Sequence, residues 1–313
     1  MKQSIRNYGP VALLMAGIVG LSAVITVLGG VQTPASETLT VMTTVSPLYE
    51  AVQLVVGDTD VVRIQTLTGT ASAGCLHEYQ LSPADRLAAE RADLLVLNGA
   101  GAEPFLDEIV AALPTEKVVD TSRGISLLCA AEEHDHEEHA HHHEEGGYNE
   151  HIWTSPVRYA AQIQAVTQAL CALDPARAQT YRANGEAYLG KVLAIGERLR
   201  RAAEALPSRR CVVFHPSLLY LAEDLGLQVE LSLAGGEQAG LSAGELAAVR
   251  TLGAQEPGLL LLYDAQYAVR YTGVDAGVSP AQVLSVDTGV SGNWLVAMEN
   301  TALLFERIQE GQT

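Results

Sequence analysis

The stretch Leu39–Leu67, LTVMTTVSPLYEAVQLVVGDTDVVRIQTL, decides the fold. Leu39 to Val45 is rich in β-branched residues and predicts a strand. Ser46-Pro47 opens a helix that runs to Val56 and stops at Gly57, with Ser46 suited to the N-cap and Pro47 to the first turn. Val61 to Leu67 is a second strand. The same unit repeats outward. Ser82-Pro83-Ala84-Asp85 opens a helix, Asp93 to Leu97 is a strand, Ala102 to Leu113 is helical and Lys117 to Asp120 is extended. Strands alternating with helices at this spacing specify βαβ units and a parallel sheet.

Farther on, a helix spans Pro156 to Leu173, Asp174-Pro175 turns the chain, and a longer helix continues to about Leu206. In it Tyr181, Tyr188, Val192, Ile195, Leu199, Ala203 and Leu206 form one apolar stripe. Roughly 30 residues at 1.5 Å each give about 45 Å, enough to run across two domains. Cys211–His215, Leu227–Leu233, Gly258–Asp264 and Val283–Asp287 are then strands with helices between, and Asn293–Gln309 is a final helix. The fold class is α/β with mainly parallel sheets in both halves.

Length and composition agree. The chain has 313 residues, 48% of them hydrophobic, which suits two domains and excludes an intrinsically disordered chain. A formal net charge of -18 excludes nucleic acid as a natural partner, because phosphate binding needs a Lys/Arg surplus. Lys2 and Arg6 precede an uncharged segment from Tyr8 to Ser36 with an apolar heart, Val11 to Leu28. It reads as an export signal, either cleaved or retained as a membrane anchor. No cysteine precedes Cys75, so no lipid-anchoring cysteine follows the apolar run. An extracytoplasmic, monomeric protein is expected, touching the membrane through this segment alone. Export permits disulfides among Cys75, Cys129, Cys171 and Cys211. Cys75 and Cys129 form a candidate pair, and Cys171 reads as a core residue. The expected division is 1–36 as the export segment, 37–157 as a first α/β lobe, 158–206 as linking helices and 207–313 as a second lobe.

Nine histidines are unevenly spread. His134, His136, His139, His141, His142 and His143 share the stretch 132–150 with eight acidic residues and no Lys or Arg, a solvated low-complexity loop. His77, His151 and His215 stand far apart, each beside a strand end or in a loop between elements. In open α/β sheets the ligand crevice lies outside the carboxyl ends of strands, and three imidazoles converging there make a cation site. A carboxylate should complete it. Asp287, ending the last strand before a Gly-rich turn, is the first candidate and Asp264 the second. Glu78 and Glu150, beside two of the histidines, are candidate hydrogen-bond acceptors behind the ligands.

Five segments carry a family resemblance. They are His77-Glu78-Tyr79-Gln80-Leu81-Ser82-Pro83, with Asn98-Gly99-Ala100-Gly101-Ala102-Glu103 beyond it; Asn149-Glu150-His151-Ile152-Trp153-Thr154-Ser155-Pro156; Val213-Phe214-His215 with Tyr220 and Gly226; Asp264-Ala265-Gln266-Tyr267; and Val286-Asp287 with Gly292, Met298 and Asn300. Together, in this order, they resemble the solute-binding proteins of zinc and manganese ABC transporters. Three departures stand out: Glu150 replaces a usual proline, Pro216 follows the third histidine and Asp264 replaces a glutamate. The resemblance implies two α/β lobes joined by one long helix, with metal held in the cleft between them. It also implies a permease transmembrane subunit as partner and no enzymatic activity. Three imidazoles and one carboxylate favour Zn2+ over Mn2+, whose sites take more oxygen. Zinc-type members carry a His-rich loop between their first two ligands, and the loop here is expected to collect additional zinc. Two other classes fit parts of the pattern. A secreted zinc-dependent hydrolase would use the same three histidines with Glu78 or Glu150 as base, although the zinc-protease spacing His-Glu-x-x-His is absent. A metal-storage protein would rest on the His-rich loop.

Overall fold

A computed structural model describes residues 38–68, 76, 79–130, 147–233, 241–271, 274, 278, 282–290 and 292–309. The chain divides at Thr38/Leu39 into two units, and the second carries every element described here. The export segment, Cys75, His77, Glu78 and the six loop histidines lie outside the described residues.

Two four-stranded parallel sheets are built the same way. In the first, β1 (Leu39–Thr43), β2 (Val62–Thr66), β3 (Leu94–Leu97) and β4 (Val118–Asp120) lie in the order β2-β1-β3-β4. In the second, β5 (Arg210–Val213), β6 (Gln228–Ser232), β7 (Leu260–Asp264) and β8 (Gln282–Val286) repeat that order as β6-β5-β7-β8. The inner strands β3 and β7 are buried at every residue, as a sheet covered on both faces demands, whereas the outer strands β2 and β8 alternate buried and exposed positions. Each sheet therefore has one switch point, between β1 and β3 and between β5 and β7, where the strand order reverses and a crevice opens at the carboxyl ends.

Local chemistry sets most boundaries. Helix α1 (Ser46–Val56) has Pro47 in its first turn, as expected, but its N-cap is Val45, one residue before the expected Ser46, and no side chain caps it. Helix α2 (Pro83–Arg91) starts with a full capping box: Ser82 Oγ accepts from the Asp85 N–H while Asp85 Oδ2 accepts from the Ser82 N–H. The single helix expected over Ala102–Leu113 is instead a 3-10 turn, Pro104–Leu106, followed by α3 (Asp107–Ala112). Pro104 brings no N–H, and Glu103 is committed backward: its carboxylate accepts from Thr44 Oγ1 at 2.6 Å, the Asn98 N–H at 2.7 Å and the Gly99 N–H at 3.1 Å. Gly99, Ala100 and Gly101 all have positive φ, which turns the chain sharply enough for that return.

Helix α4 (Pro156–Leu173) and the 27-residue α5 (Ala178–Glu204) form an antiparallel pair behind both sheets. The predicted α5 stripe is buried throughout, from Tyr181 to Leu206, and each large member contributes about 1.5–3 kcal/mol of transfer free energy. Its two halves face different lobes. Asn184 Nδ2 donates to Val55 O, and Tyr188 Oη to Glu50, both on α1 of the first lobe. Arg198 makes a two-pronged bond to Glu306 on α8 (Trp294–Gln309), the last helix of the second lobe. One apolar core runs continuously from Val41 in β1, through α4 and α5, to Leu284 in β8 and Phe305 in α8. Helices α6 (Leu219–Asp224) and α7 (Ala243–Gln255) complete the second lobe. The architecture is thus two α/β lobes joined by a long helix. Cys129 is a free, exposed thiol and Cys171 is half-buried, with Sγ 3.4 Å from Ala178 O.

Candidate functional site

The second lobe's switch point carries the chemistry. Strand β5 ends at Val213, two residues short of expectation, because Pro216 cannot donate to a ladder and the chain turns into a 3-10 helix, Pro216–Leu218. His215 is its N-cap and is buried, and its Nδ1 accepts from the Ser217 N–H at 3.1 Å. Ser217 Oγ in turn donates to Asp264 Oδ2 at 2.6 Å, at the end of β7. The other oxygen, Asp264 Oδ1, accepts from the Gln266 N–H at 3.1 Å. Asp264 is 1% exposed, and burial pushes its carboxyl up to about 6, with the nearby charge of Asp287 adding to the rise.

His151 reaches the same place from between the lobes. It precedes a 3-10 turn, Ile152–Thr154, and its position is fixed from three directions. Asn149 Oδ1 accepts from the His151 N–H at 3.0 Å and lies 2.9 Å from His151 Nδ1. Asn149 Nδ2 donates to Pro216 O at 2.8 Å, which settles the orientation of the amide. Nδ1 of His151 therefore carries the proton and Nε2 the lone pair, the tautomer a metal-ligating imidazole needs. Thr154 Oγ1 lies 2.9 Å from His151 O and 2.8 Å from Ser217 O, tying the two loops together. Asn98 Nδ2 donates to Glu150 O at 2.8 Å, and Tyr220 Oη donates to Asn149 O at 2.7 Å.

The two imidazoles meet edge to face with ring centroids 5.3 Å apart. They line one small pocket together with Glu150, Trp153, Asp264, Gln266 and Tyr267. Tyr267 stacks on His215 at 4.5 Å, and Trp153 lies 5.5 Å from His151. Glu150, 7% exposed, holds Oε1 3.7 Å from His151 Nε2. The donors are nitrogen and oxygen with no sulfur, a set that fits borderline divalent cations. As it stands, His215 has Nδ1 occupied by the Ser217 N–H, so ligation through Nε2 shifts its proton to Nδ1 and gives up that bond.

Of the residues singled out from the sequence, His151, His215, Glu150 and Asp264 are brought together. Asp287 is half-buried, one residue past β8, with Oδ1 accepting from the Gly289 N–H at 2.8 Å, and it is not among the pocket's described lining residues. Among the described residues no group of three His, Cys, Asp or Glu is arranged to hold a metal, and His77 lies outside them. Sequence reasoning gave no role to Asn149, Ser217 or Gln266. The signal was present: Asn149–His151, His215–Ser217, Asp264–Gln266 and Asp287–Gly289 all place a side-chain acceptor two residues before the N–H it binds.

The first lobe's switch point shows the contrast. There Thr44, Asn98 and Glu103 fill the corresponding crevice with their own hydrogen bonds, and burial pushes the Glu103 carboxyl up to about 7. Gln162 Nε2 adds bonds to Asn98 Oδ1 and Thr121 Oγ1. That crevice is a brace for the Glu150–His151 loop.

A family model described as ZnuA, the periplasmic zinc-uptake complex component A, matches residues 41–288. The chain is similar to the zinc-binding lipoprotein AdcA of Streptococcus pneumoniae, with 30% identity over 229 residues, 71% of this chain and 44% of that one. It therefore spans less than half the length of that relative. It is also similar to the iron-binding protein YfeA of Yersinia pestis, with 29% identity over 234 residues, 72% of this chain and 70% of that one. Among solved structures, a crystal structure of ZnuA superposes with a TM-score of 0.69 at 24% identity, covering 88% of this chain and 100% of that one. FpvC of Pseudomonas aeruginosa in complex with Mn2+ superposes with a TM-score of 0.68 at 22% identity, covering 88% and 99%. At these identities the superpositions establish the two-lobe fold.

Proposed function

Because the chain belongs to the ZnuA family of periplasmic zinc-uptake components, we propose that it is an extracytoplasmic receptor that captures Zn2+ and delivers it to the transmembrane subunit of an ABC permease. The observation that carries this reading is the meeting of His151 and His215, 64 positions apart, as edge-to-face rings in one buried pocket between carboxylates. Zinc is cargo here, bound and released without chemistry on it. The proposed ligands are His77, His151, His215 and Asp287. Glu78, Glu150 and Asp264 are the proposed acceptors that orient them. Two imidazoles already in place, with His77 as a third, favour Zn2+ over Mn2+. The His-rich loop, with His134, His136, His139, His141, His142 and His143, is proposed as an auxiliary collector that raises the local zinc concentration. The N-terminal segment would export the protein and, if retained, hold it at the membrane as a monomer.

Calorimetric titration of the wild type, His215→Ala and a deletion of residues 132–147 with Zn2+ and Mn2+ tests this. One tight zinc site should survive the deletion, and His215→Ala should weaken it at least about tenfold. A preference for Mn2+, or an unaffected His215→Ala, contradicts the zinc assignment. Loss of all binding on loop deletion would point to storage.

A further inference from the structure

The first turn of α8 is capped from the other lobe. Asn293, the residue before the helix, supplies two acceptors: Oδ1 for the Val296 N–H at 3.2 Å and its backbone carbonyl for the Ala297 N–H at 3.1 Å. The N–H groups of Trp294 and Leu295 have no partner inside the helix. Glu50, on α1 of the first lobe, takes both. Its Oε2 accepts from the Trp294 N–H at 2.5 Å, and the carboxylate also accepts from the Leu295 N–H. The partial positive charge of a helix N-terminus favours a carboxylate in that place. Oε1 accepts from Tyr188 Oη at 3.1 Å, on the connecting helix α5. One carboxylate thus joins both lobes and the long helix.

Trp294, the residue so held, is fully buried. Its Nε1 donates to Trp153 O at 2.8 Å, and its ring lies 4.6 Å from that of Tyr159, whose Oη donates to Pro47 O at 2.7 Å. The loop leading into α8 folds back on it. Gly289, Gly292 and Asn293 all have positive φ, at 77°, 102° and 55°. A Cβ at Gly289 would stand 2.8 Å from Trp294 Cδ1 and 3.1 Å from its Cα, so only a hydrogen fits. The Gly289 N–H in turn donates to Asp287 Oδ1 at 2.8 Å. Val290 of the same loop lines the histidine pocket. Ser46, at the start of α1, lines both that pocket and the neighbouring cavity bordered by Glu50 and Asn293. A chain of contacts therefore runs from Glu50 through Trp294 and Gly289 to Asp287.

We propose that Glu50 is a positioning residue for the metal site: by capping α8 from the other lobe it sets the place of Trp294, and through Gly289 that of the Asp287 carboxylate. This rests on the receptor reading above and on Asp287 as the carboxylate ligand. Packed interfaces switch between discrete arrangements rather than deforming gradually, so losing the cap frees the loop and the start of α8 together. The step under its control is escape of the cation, because capture by an opened cleft does not need the cap.

Rapid-mixing zinc association and chelator-driven zinc release test this on the full-length protein and its Glu50→Ala, Glu50→Gln, Gly289→Ala, Asp287→Ala and Glu50→Ala/Asp287→Ala variants. Glu50→Ala should release zinc about tenfold faster, with association within about twofold of wild type. Glu50→Gln, which keeps one oxygen acceptor, should recover part of that loss. Gly289→Ala, which drives a Cβ into Trp294 with Glu50 intact, should speed release likewise. With Asp287 already replaced, Glu50→Ala should change release by less than about twofold, while its cost in urea stability is the same in both backgrounds. Release accelerated equally in both backgrounds, as a merely structural cap would give, overturns the proposal. Unchanged release in folded Glu50→Ala, or in folded Gly289→Ala, overturns it as well. Where Glu50→Ala does not fold, Glu50→Gln carries the same comparison. An Asp287→Ala protein that holds zinc as the wild type does overturns the proposal and leaves the receptor reading standing. A wild type that binds no zinc overturns the receptor reading itself, and the proposal falls with it.

Discussion

Replacing Asn149 by alanine probes how the two histidines are held. The side chain makes three contacts: with the His151 N–H at 3.0 Å, with His151 Nδ1 at 2.9 Å and with Pro216 O at 2.8 Å. Losing them strands two buried donors and an acceptor, at about 1–3 kcal/mol each before relaxation, and a net loss of about 2–4 kcal/mol in unfolding free energy is expected. The effect on metal is separate. Without Asn149 the His151 ring loses the partner that fixes its tautomer and plane, and comparable losses behind metal ligands cost about 10–100-fold in affinity, roughly 1.4–2.7 kcal/mol. Competition against a chromophoric zinc chelator measures the second quantity, and urea unfolding of the metal-free protein the first. Asn149→Asp supplies the internal control. It keeps the acceptor for His151 but loses the donor to Pro216, so it should lose stability while keeping most of its zinc affinity. Zinc affinity within about threefold of wild type in a folded Asn149→Ala protein would refute the assignment of Asn149 as the group that orients His151.

Zinc affinity should fall as pH drops below about 6.5, because the imidazoles must be neutral to ligate, and Asp264, pushed up to about 6, must be ionised to hold its partners as an anion; equal affinity at about pH 5 and pH 7.5 contradicts histidine ligation. Glu103 acts on stability in the opposite sense. Its folded carboxyl is raised from 4.5 to about 7, so its favourable contribution is complete below the unfolded value and is lost as pH rises through about 7. Relative to Glu103→Gln, the wild type should lose up to about 3 kcal/mol between pH 5 and pH 8, read from urea unfolding at both. Gly185→Ala should destabilise by about 1–3 kcal/mol despite better helix propensity, because a Cβ there collides with Thr167 on the facing helix α4. The double variant with Thr167→Ala should recover that loss in thermal unfolding. Asp224→Ala removes the acceptor shared by Ser155 Oγ and Arg158, which join α4 to α6. It should lower stability by about 1–3 kcal/mol in the same assay.

Much of this molecule was legible before its structure. The βαβ pattern from Leu39, the helix start at Ser82-Pro83, helix Pro156–Leu173 and the buried stripe of α5 follow from periodicity and end signals that act over a few residues. Errors arose where a side chain worked at long range. Glu103 abandons the expected helix to bond Thr44, 59 positions earlier, and nothing in its own neighbourhood announces that. The site divides similarly. His151 and His215 were visible as isolated histidines beside a strand end or in a loop, and Asp264, buried at the end of β7, as the second candidate carboxylate. Asn149 and Ser217 were not assigned roles, because the bonds that join the loops, Asn149 Nδ2 to Pro216 O and Ser217 Oγ to Asp264 Oδ2, connect positions 67 and 47 residues apart.

The most direct test of the account is a crystal structure of the zinc-loaded protein with an anomalous difference map at the zinc edge. The account predicts one strong peak in the pocket between the lobes, with the Nε2 atoms of His151 and His215 each about 2.0–2.1 Å from it. Zinc found only elsewhere, with those two imidazoles still facing each other metal-free, would contradict it.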